Sequence, residues 1–159
     1  MSDPIEGVIT DWSRERPELD PSAMGVVGRV LRLGKLWEQR LGRLLKEHRL
    51  VAGEFDVLAT LRRQGDECEL SPSQLSQVAM LTTGGMTNLL DRLQRRGWVE
   101  RRPNPADRRG TLVRLTAEGR ELIDELIGPR LADAEACLDA LAPRERARLA
   151  QLLAKLLSA

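Results

Sequence analysis

Tyrosine is absent from the 159 residues, and phenylalanine and histidine occur once each. With His48 as the only histidine, general acid–base chemistry would rest on carboxylates alone. No Ser/His/Asp set, Gly-rich phosphate loop or HExxH motif appears, so the composition argues against an enzyme. Cysteine occurs twice, at Cys68 and Cys137, without CxxC spacing. One histidine and two scattered cysteines do not make a metal site of ordinary ligand count, and no cofactor is expected. No apolar run approaches the roughly 18 to 20 residues that cross a bilayer. The acidic start (Asp3, Glu6, Asp11) lacks the basic and apolar regions of a signal peptide, so a cytoplasmic protein is expected.

The chain has 42% hydrophobic residues, enough for one compact domain with a real core. Its formal net charge of +1 conceals an uneven distribution. Residues 1–20 hold six acids against two bases, and residues 82–114 hold eight arginines against three acids. All the cations of that second stretch are arginine, the side chain suited to phosphates and base edges. Four of them flank the two prolines of RRPNPADRRG, residues 101–110. A solvated surface with partial i,i+4 pairing is the plainer reading of the same charges.

Helical periodicity runs through most of the chain. Asp20 before Pro21 reads as an N-cap with proline at N1, and the apolar spacing predicts a helix to about Glu47. At 1.5 Å per residue it spans about 40 Å, more than a small core needs, so part of it should pack on another subunit. A second helix is expected over Gly53–Arg63, although Val51 and Ala52 offer no capping oxygen. Ser71-Pro72-Ser73-Gln74 is a capping box that opens a short helix. After a turn at Met80-Leu81-Thr82 a new helix begins at Thr82 or Thr83, carries Met86, Leu89, Leu90 and Leu93 inward, and ends at Gly97. Two helices so joined read as helix-turn-helix.

Trp98–Arg102 and Thr111–Leu115 are strand candidates around a long tip, in which Pro103 and Pro105 should prevent regular pairing and leave Arg108 and Arg109 beyond the sheet. Thr116 caps a further helix, with Leu122, Ile123, Leu126, Leu131, Ala134, Leu138 and Leu141 as its stripe and a kink expected at Gly128-Pro129. Pro143 opens a last helix with a leucine-dense face. The fold class is therefore mainly α: a winged helix-turn-helix with a two-stranded wing and long terminal helices for dimerisation. The expected organisation is 1–48 for ligand and dimerisation, 53–115 for DNA binding and 116–159 for dimerisation.

That order suits docking on double-stranded DNA. The candidate contacts are Ser71, Ser73, Thr82, Thr83, Thr87, Asn88, Arg92 and Arg95 in the helix-turn-helix, with Asp107, Arg108 and Arg109 in the wing. Short polar groups near the start of the second helix can read bases, its arginines can hold phosphates, and a wing arginine can enter the minor groove.

The segment TTGGMTNLLDRLQRRGWVERRPNPADRRGTLVRLTAEGR, residues 82–120, resembles the MarR family of winged helix-turn-helix repressors. The shared signature is the recognition helix followed by GWVER, DRR and LTAEG. The resemblance implies a homodimer that binds pseudo-palindromic DNA and releases it when a small molecule binds. It also implies that Arg108 enters the minor groove while Asp107 orients the neighbouring arginines. DWSRERPELD, with the later GRVLRL, is similar to the urate-responsive branch, which has an extra N-terminal helix carrying a tryptophan. On that pattern Trp12 stacks on the ligand, Asp56 lies under it and Arg101 pairs with an anionic group. Leu89 departs from it, standing where the branch has a second arginine. A planar or aromatic acid with fewer anionic contacts than urate is the effector this implies.

Plainer readings stand beside these. Trp12 could anchor a helix, Asp56 could be an exposed residue beside Arg62 or Arg63, and Leu89 could be core. His48 could be a cation favoured by a helix C-terminus. Cys68 sits in the polar stretch DECEL, whose acids disfavour a thiolate sensor, and Cys137 lies on an apolar stripe. The rival classes are a protein-binding winged helix and a regulator without a small-molecule ligand.

Overall fold

The computed structural model describes residues 3–65, 67–79 and 83–158. The chain divides into two compact units, Met1–Arg40 and Leu41–Ala159. It is 68% helical with a small three-stranded antiparallel sheet, the mainly α architecture expected.

In the first unit, helix α1 (Pro4–Glu15) starts at Asp3, whose carboxylate accepts a bond from the Ile5 amide at 3.0 Å. Helix α2 (Ser22–Leu45) starts after Asp20, which accepts from the Ser22 amide and hydroxyl, both at 2.9 Å. Ile5 and Ile9 pack onto α2 at Gly28 and Gly25, and Arg29 bonds Asp3 at 2.7 Å and Glu6 at 2.8 Å. Trp12, Val26, Val27, Val30 and Leu31 remain exposed.

The second unit runs α3 (Ala52–Arg62), β1 (Glu69–Leu70), α4 (Pro72–Ala79), α5 (Thr83–Arg95), β2 (Val99–Asn104), β3 (Asp107–Leu115), α6 (Ala117–Ala136) and α7 (Pro143–Leu157). Its core gathers Leu58 and Leu61 from α3, Leu75 from α4, Met86, Leu90 and Leu93 from α5, Val99 and Val113 from the sheet, and Ile123 from α6. Each such side chain contributes about 1.5–3 kcal/mol relative to exposure. The local signals lie where the sequence puts them. Ser71 accepts from the Gln74 amide at 3.3 Å while Gln74 accepts from the Ser71 amide at 2.8 Å, and Thr116 accepts from the Gly119 amide at 3.0 Å. Gly97, at φ +75°, follows α5 in a conformation that suits glycine.

The start of α3 has no side-chain oxygen cap at Val51, as expected, and Glu54 within the helix accepts from the Val51 amide at 3.1 Å. Elsewhere the structure departs from expectation. The sheet has a third strand, in the order β1-β3-β2. The wing tip is short rather than long, because pairing continues through Pro103↔Thr111 to Asn104↔Asp107, with a register shift between Pro103 and Asn104. Proline is tolerated there because β2 is an edge strand and a bulge absorbs the missing donor. Arg108 and Arg109 consequently belong to β3 and do not lie beyond the sheet. Helix α6 continues through Pro129 and ends at Ala136, so Leu138 and Leu141 fall after it.

Cys68 lies in the core despite its polar neighbours in sequence. It is 1% exposed within the core, at φ +50°, with its thiol donating to the Gly65 carbonyl at 2.8 Å and Arg120 Nη2 3.0 Å from the sulfur. Alkylating reagents should therefore label Cys68 only under denaturing conditions, and mass mapping of peptides after native and denatured labelling checks this. Among the described residues no helix is long and apolar enough to cross a membrane.

Candidate nucleic-acid interface

Helix α5 divides by face. Met86, Leu89, Leu90 and Leu93 are buried, whereas Thr87, Asn88, Arg92 and Arg95 are exposed. That division follows the 3.6-residue period of the apolar positions. Beside the polar face an open cleft of about 680 Å³ lies between the start of α4, α5 and the wing, and Ser71, Ser73, Thr87 and Asp107 all line it. Four of the sequence candidates thus come together from three elements. Ser71 and Ser73 place their hydroxyl oxygens 3.0 Å apart at the start of α4, where the helix end favours anions. Thr82 lies outside the described residues, and of Thr83, Arg108 and Arg109 only the backbone is described.

The arginines are not equivalent. Arg95 Nε turns back to the Asp91 carbonyl at 3.2 Å. Arg92 Nε donates to Glu54 at 2.9 Å, a contact 38 residues away in sequence that no local pattern announces. Of the four arginines around the wing prolines, two serve the fold. Arg102 forms an ion pair with Glu69 of β1, and Arg101 bonds Asp91 at 2.7 Å and Gln94 at 2.8 Å. The arginine cluster is thus partly internal, which its spacing in RRPNPADRRG does not reveal.

The residues assigned to a ligand by resemblance are distributed between the two units. Trp12 is on α1 and 47% exposed. Asp56 is on α3, Leu89 on α5 and Arg101 on β2. Leu89 is only 7% exposed, so an arginine there would carry a charge toward the apolar interior. Any anion taken by Arg101 must compete with the Asp91 and Gln94 oxygens it already holds. Partial desolvation raises the carboxyl pKa of Asp56 above its ordinary 3.8, opposed by the charges of Arg130 and Arg63.

The sign of that shift gives a pH prediction. Between 3.8 and the raised folded-state value, the native state binds more protons than the unfolded one, so Asp56 costs stability as pH rises through the window. Asp56→Asn should therefore raise the Tm slightly at pH 7, and the difference should vanish below pH 3.8. Thermal melts of both proteins across pH 3 to 7 check it.

A short helix pair followed by a β-hairpin, with a polar face on the second helix, defines a winged helix-turn-helix protein. The match extends to sequence: residues 49–110 fit the MarR family. The transcriptional regulator PecS of Dickeya dadantii is 34% identical over 151 residues, covering 95% of this chain and 91% of that protein. The chain belongs to the MarR family of transcriptional regulators. A variant of Escherichia coli MarR complexed with operator DNA superposes with a TM-score of 0.72 at 30% identity, over 98% of this chain and 99% of the other. BpsR of Bordetella bronchiseptica, whose DNA binding is regulated by 6-hydroxynicotinic acid, gives 0.75 at 28% identity, over 84% and 94%.

Proposed function

We propose that this protein is a homodimeric repressor that holds a pseudo-palindromic operator through α5 and the wing and releases it on binding a planar anionic ligand. The observation that carries the DNA-binding part is the exposed polar face of α5, Thr87 to Arg95, flanked by the hydroxyl-lined cleft. E. coli MarR, an operator-binding relative, supports it. Residues 53–115 form the DNA-binding part. The dimer is made by residues of about 20–47 and 120–158, where α2, α6 and α7 leave Val26, Val30, Leu131, Leu152 and Leu156 exposed. Such an apolar surface calls for a covering partner, and a symmetric pair places two recognition helices about 34 Å apart.

For the effector, Trp12, Asp56 and Arg101 are the residues we assign, and regulation of BpsR by an aromatic acid supports the ligand class. Duplexes selected by the protein from a randomised pool should be pseudo-palindromic and bind one dimer by sedimentation. Urate, 6-hydroxynicotinic acid and related planar acids should then be screened by thermal shift, since a ligand of the folded state raises the Tm. A hit should weaken binding to the selected duplex, by about 5- to 150-fold at a coupling of 1–3 kcal/mol. Selection of no common sequence would overturn the DNA reading. A monomer at micromolar concentration would overturn the dimer, and a panel with no hit and no quenching of Trp12 would overturn the ligand assignment.

A further inference from the structure

Glu54 is a carboxylate only 4% exposed, set at the start of α3 among apolar side chains. An ionised group so placed is costly unless paired and hydrogen-bonded. One oxygen accepts from the Val51 amide at 3.1 Å, and the other accepts from Arg92 Nε at 2.9 Å. Arg96 Nη1 stands 4.0 Å from the carboxylate. Arg92 lies in the last turn of α5 and Arg96 in the turn that follows it, so the buried charge grips the C-terminal end of that helix.

The two arginines differ in what they have left to offer. Arg96 donates to the carbonyls of Arg49 at 2.7 Å and His48 at 2.8 Å, and lies 3.6 Å above the Trp98 ring. It is committed to the fold. The Arg92 side chain is 47% exposed, and only its Nε is bonded; its two terminal nitrogens meet no acceptor among the described residues. A guanidinium is a rigid planar fork, so a bond at Nε fixes the direction in which the remaining donors point.

We infer that Glu54 is a positioning residue for DNA recognition: it holds Arg92 so that the terminal nitrogens meet a backbone phosphate, and with Arg96 it sets the orientation of α5. This rests on the reading of α5 as the DNA-facing helix. It accounts for a charge buried where a leucine would pack as well, and for an acid placed beside a surface that meets a polyanion.

The test compares Glu54→Gln, Arg92→Gln, Arg92→Lys and the double glutamine variant by fluorescence anisotropy. The probes are the duplex this protein selects from a randomised pool and a scrambled duplex, each across a salt series. Arg92→Gln should weaken the selected duplex about tenfold and reduce the salt slope by about one. Glu54→Gln keeps an acceptor for the Val51 amide, yet should weaken the selected duplex by a similar factor. Its affinity for the scrambled duplex should be unchanged or tighter, because a negative charge has gone. The double variant should bind no more weakly than Arg92→Gln alone. Arg92→Lys should resemble Arg92→Gln, since one ammonium cannot serve both the carboxylate and the phosphate.

Full affinity and an unchanged salt slope in Arg92→Gln would show that the DNA-facing reading fails at Arg92. Weakening in Arg92→Gln without weakening in Glu54→Gln, or additive losses, would overturn the positioning role while leaving that reading intact. Should Glu54→Gln fail to fold by circular dichroism, Arg92→Lys decides: lysine with the affinity of arginine overturns the proposal.

Discussion

Replacing Gly119 by alanine is expected to destabilise the protein by about 3 kcal/mol or more, lowering the Tm by roughly 6–12 °C. A Cβ at position 119 would stand 2.0 Å from the Trp98 carbonyl oxygen and 2.8 Å from its carbonyl carbon. Both obstacles are backbone, so no rotamer change relieves them. The approach is close because three bonds converge there. The Thr116 hydroxyl accepts from the Gly119 amide at 3.0 Å and donates to the Gly97 carbonyl at 2.7 Å, while the Thr116 amide donates to Trp98 at 3.2 Å. Together they clamp the start of α6 to the root of the wing, and an added methyl must separate them. Differential scanning calorimetry checks the result, with Glu118→Ala as the comparison. Glu118 is exposed one residue away and should change stability by only about 0.5 kcal/mol. A Tm for Gly119→Ala within 2 °C of wild type, by the roughly 2–4 °C per kcal/mol of a chain this size, would show that the clamp yields.

The second large effect concerns DNA and separates two kinds of contact. Asn88 is exposed in the first half of α5, and its amide has no partner among the described residues. A free amide on such a face can bond the edge of adenine in two places, a contact that discriminates by about 1–3 kcal/mol. Asn88→Ala should therefore weaken the selected duplex by about 5- to 150-fold, with the scrambled duplex and the salt slope unchanged. Arg108, two residues after the Pro105-Ala106 turn, should behave differently. On the proposed reading, in which Arg108 enters the minor groove, Arg108→Ala should weaken binding to both duplexes and lower the salt slope by about one. Anisotropy titrations at several salt concentrations distinguish the two patterns. Identical behaviour of both variants on both duplexes would remove the division between reading and holding.

These contrasts reflect what kind of information a linear sequence carries. The Ser71–Gln74 box, the Thr116 cap, proline at the start of α7 and glycine after α5 are encoded within three or four residues of where they act. The apolar period of α5 likewise assigns Leu90 and Leu93 to the core and Thr87 and Asn88 to solvent. Element order and the recognition-helix and wing motif were legible because helices and caps are short-range devices. The signal for the α3 cap was present too, as an acid three residues into the helix, although a search for a capping oxygen before the helix passes over it.

Periodicity, caps and motif spacing were enough for the mainly helical winged fold, its family and the polar face of α5. Which charges remain for a partner depends on contacts between distant segments. Arg92 meets Glu54 across 38 residues and Arg96 meets His48 across 48, while Arg101 turns to Asp91 and Gln94 and Arg102 to Glu69. The burial of Cys68 and the third strand are of the same kind, since each depends on β3 pairing with a segment far away in the chain. A count of arginines measures the total positive charge; only the packing of distant segments determines how much of it is neutralised inside the protein, because an ion pair depends on distance in space rather than along the chain.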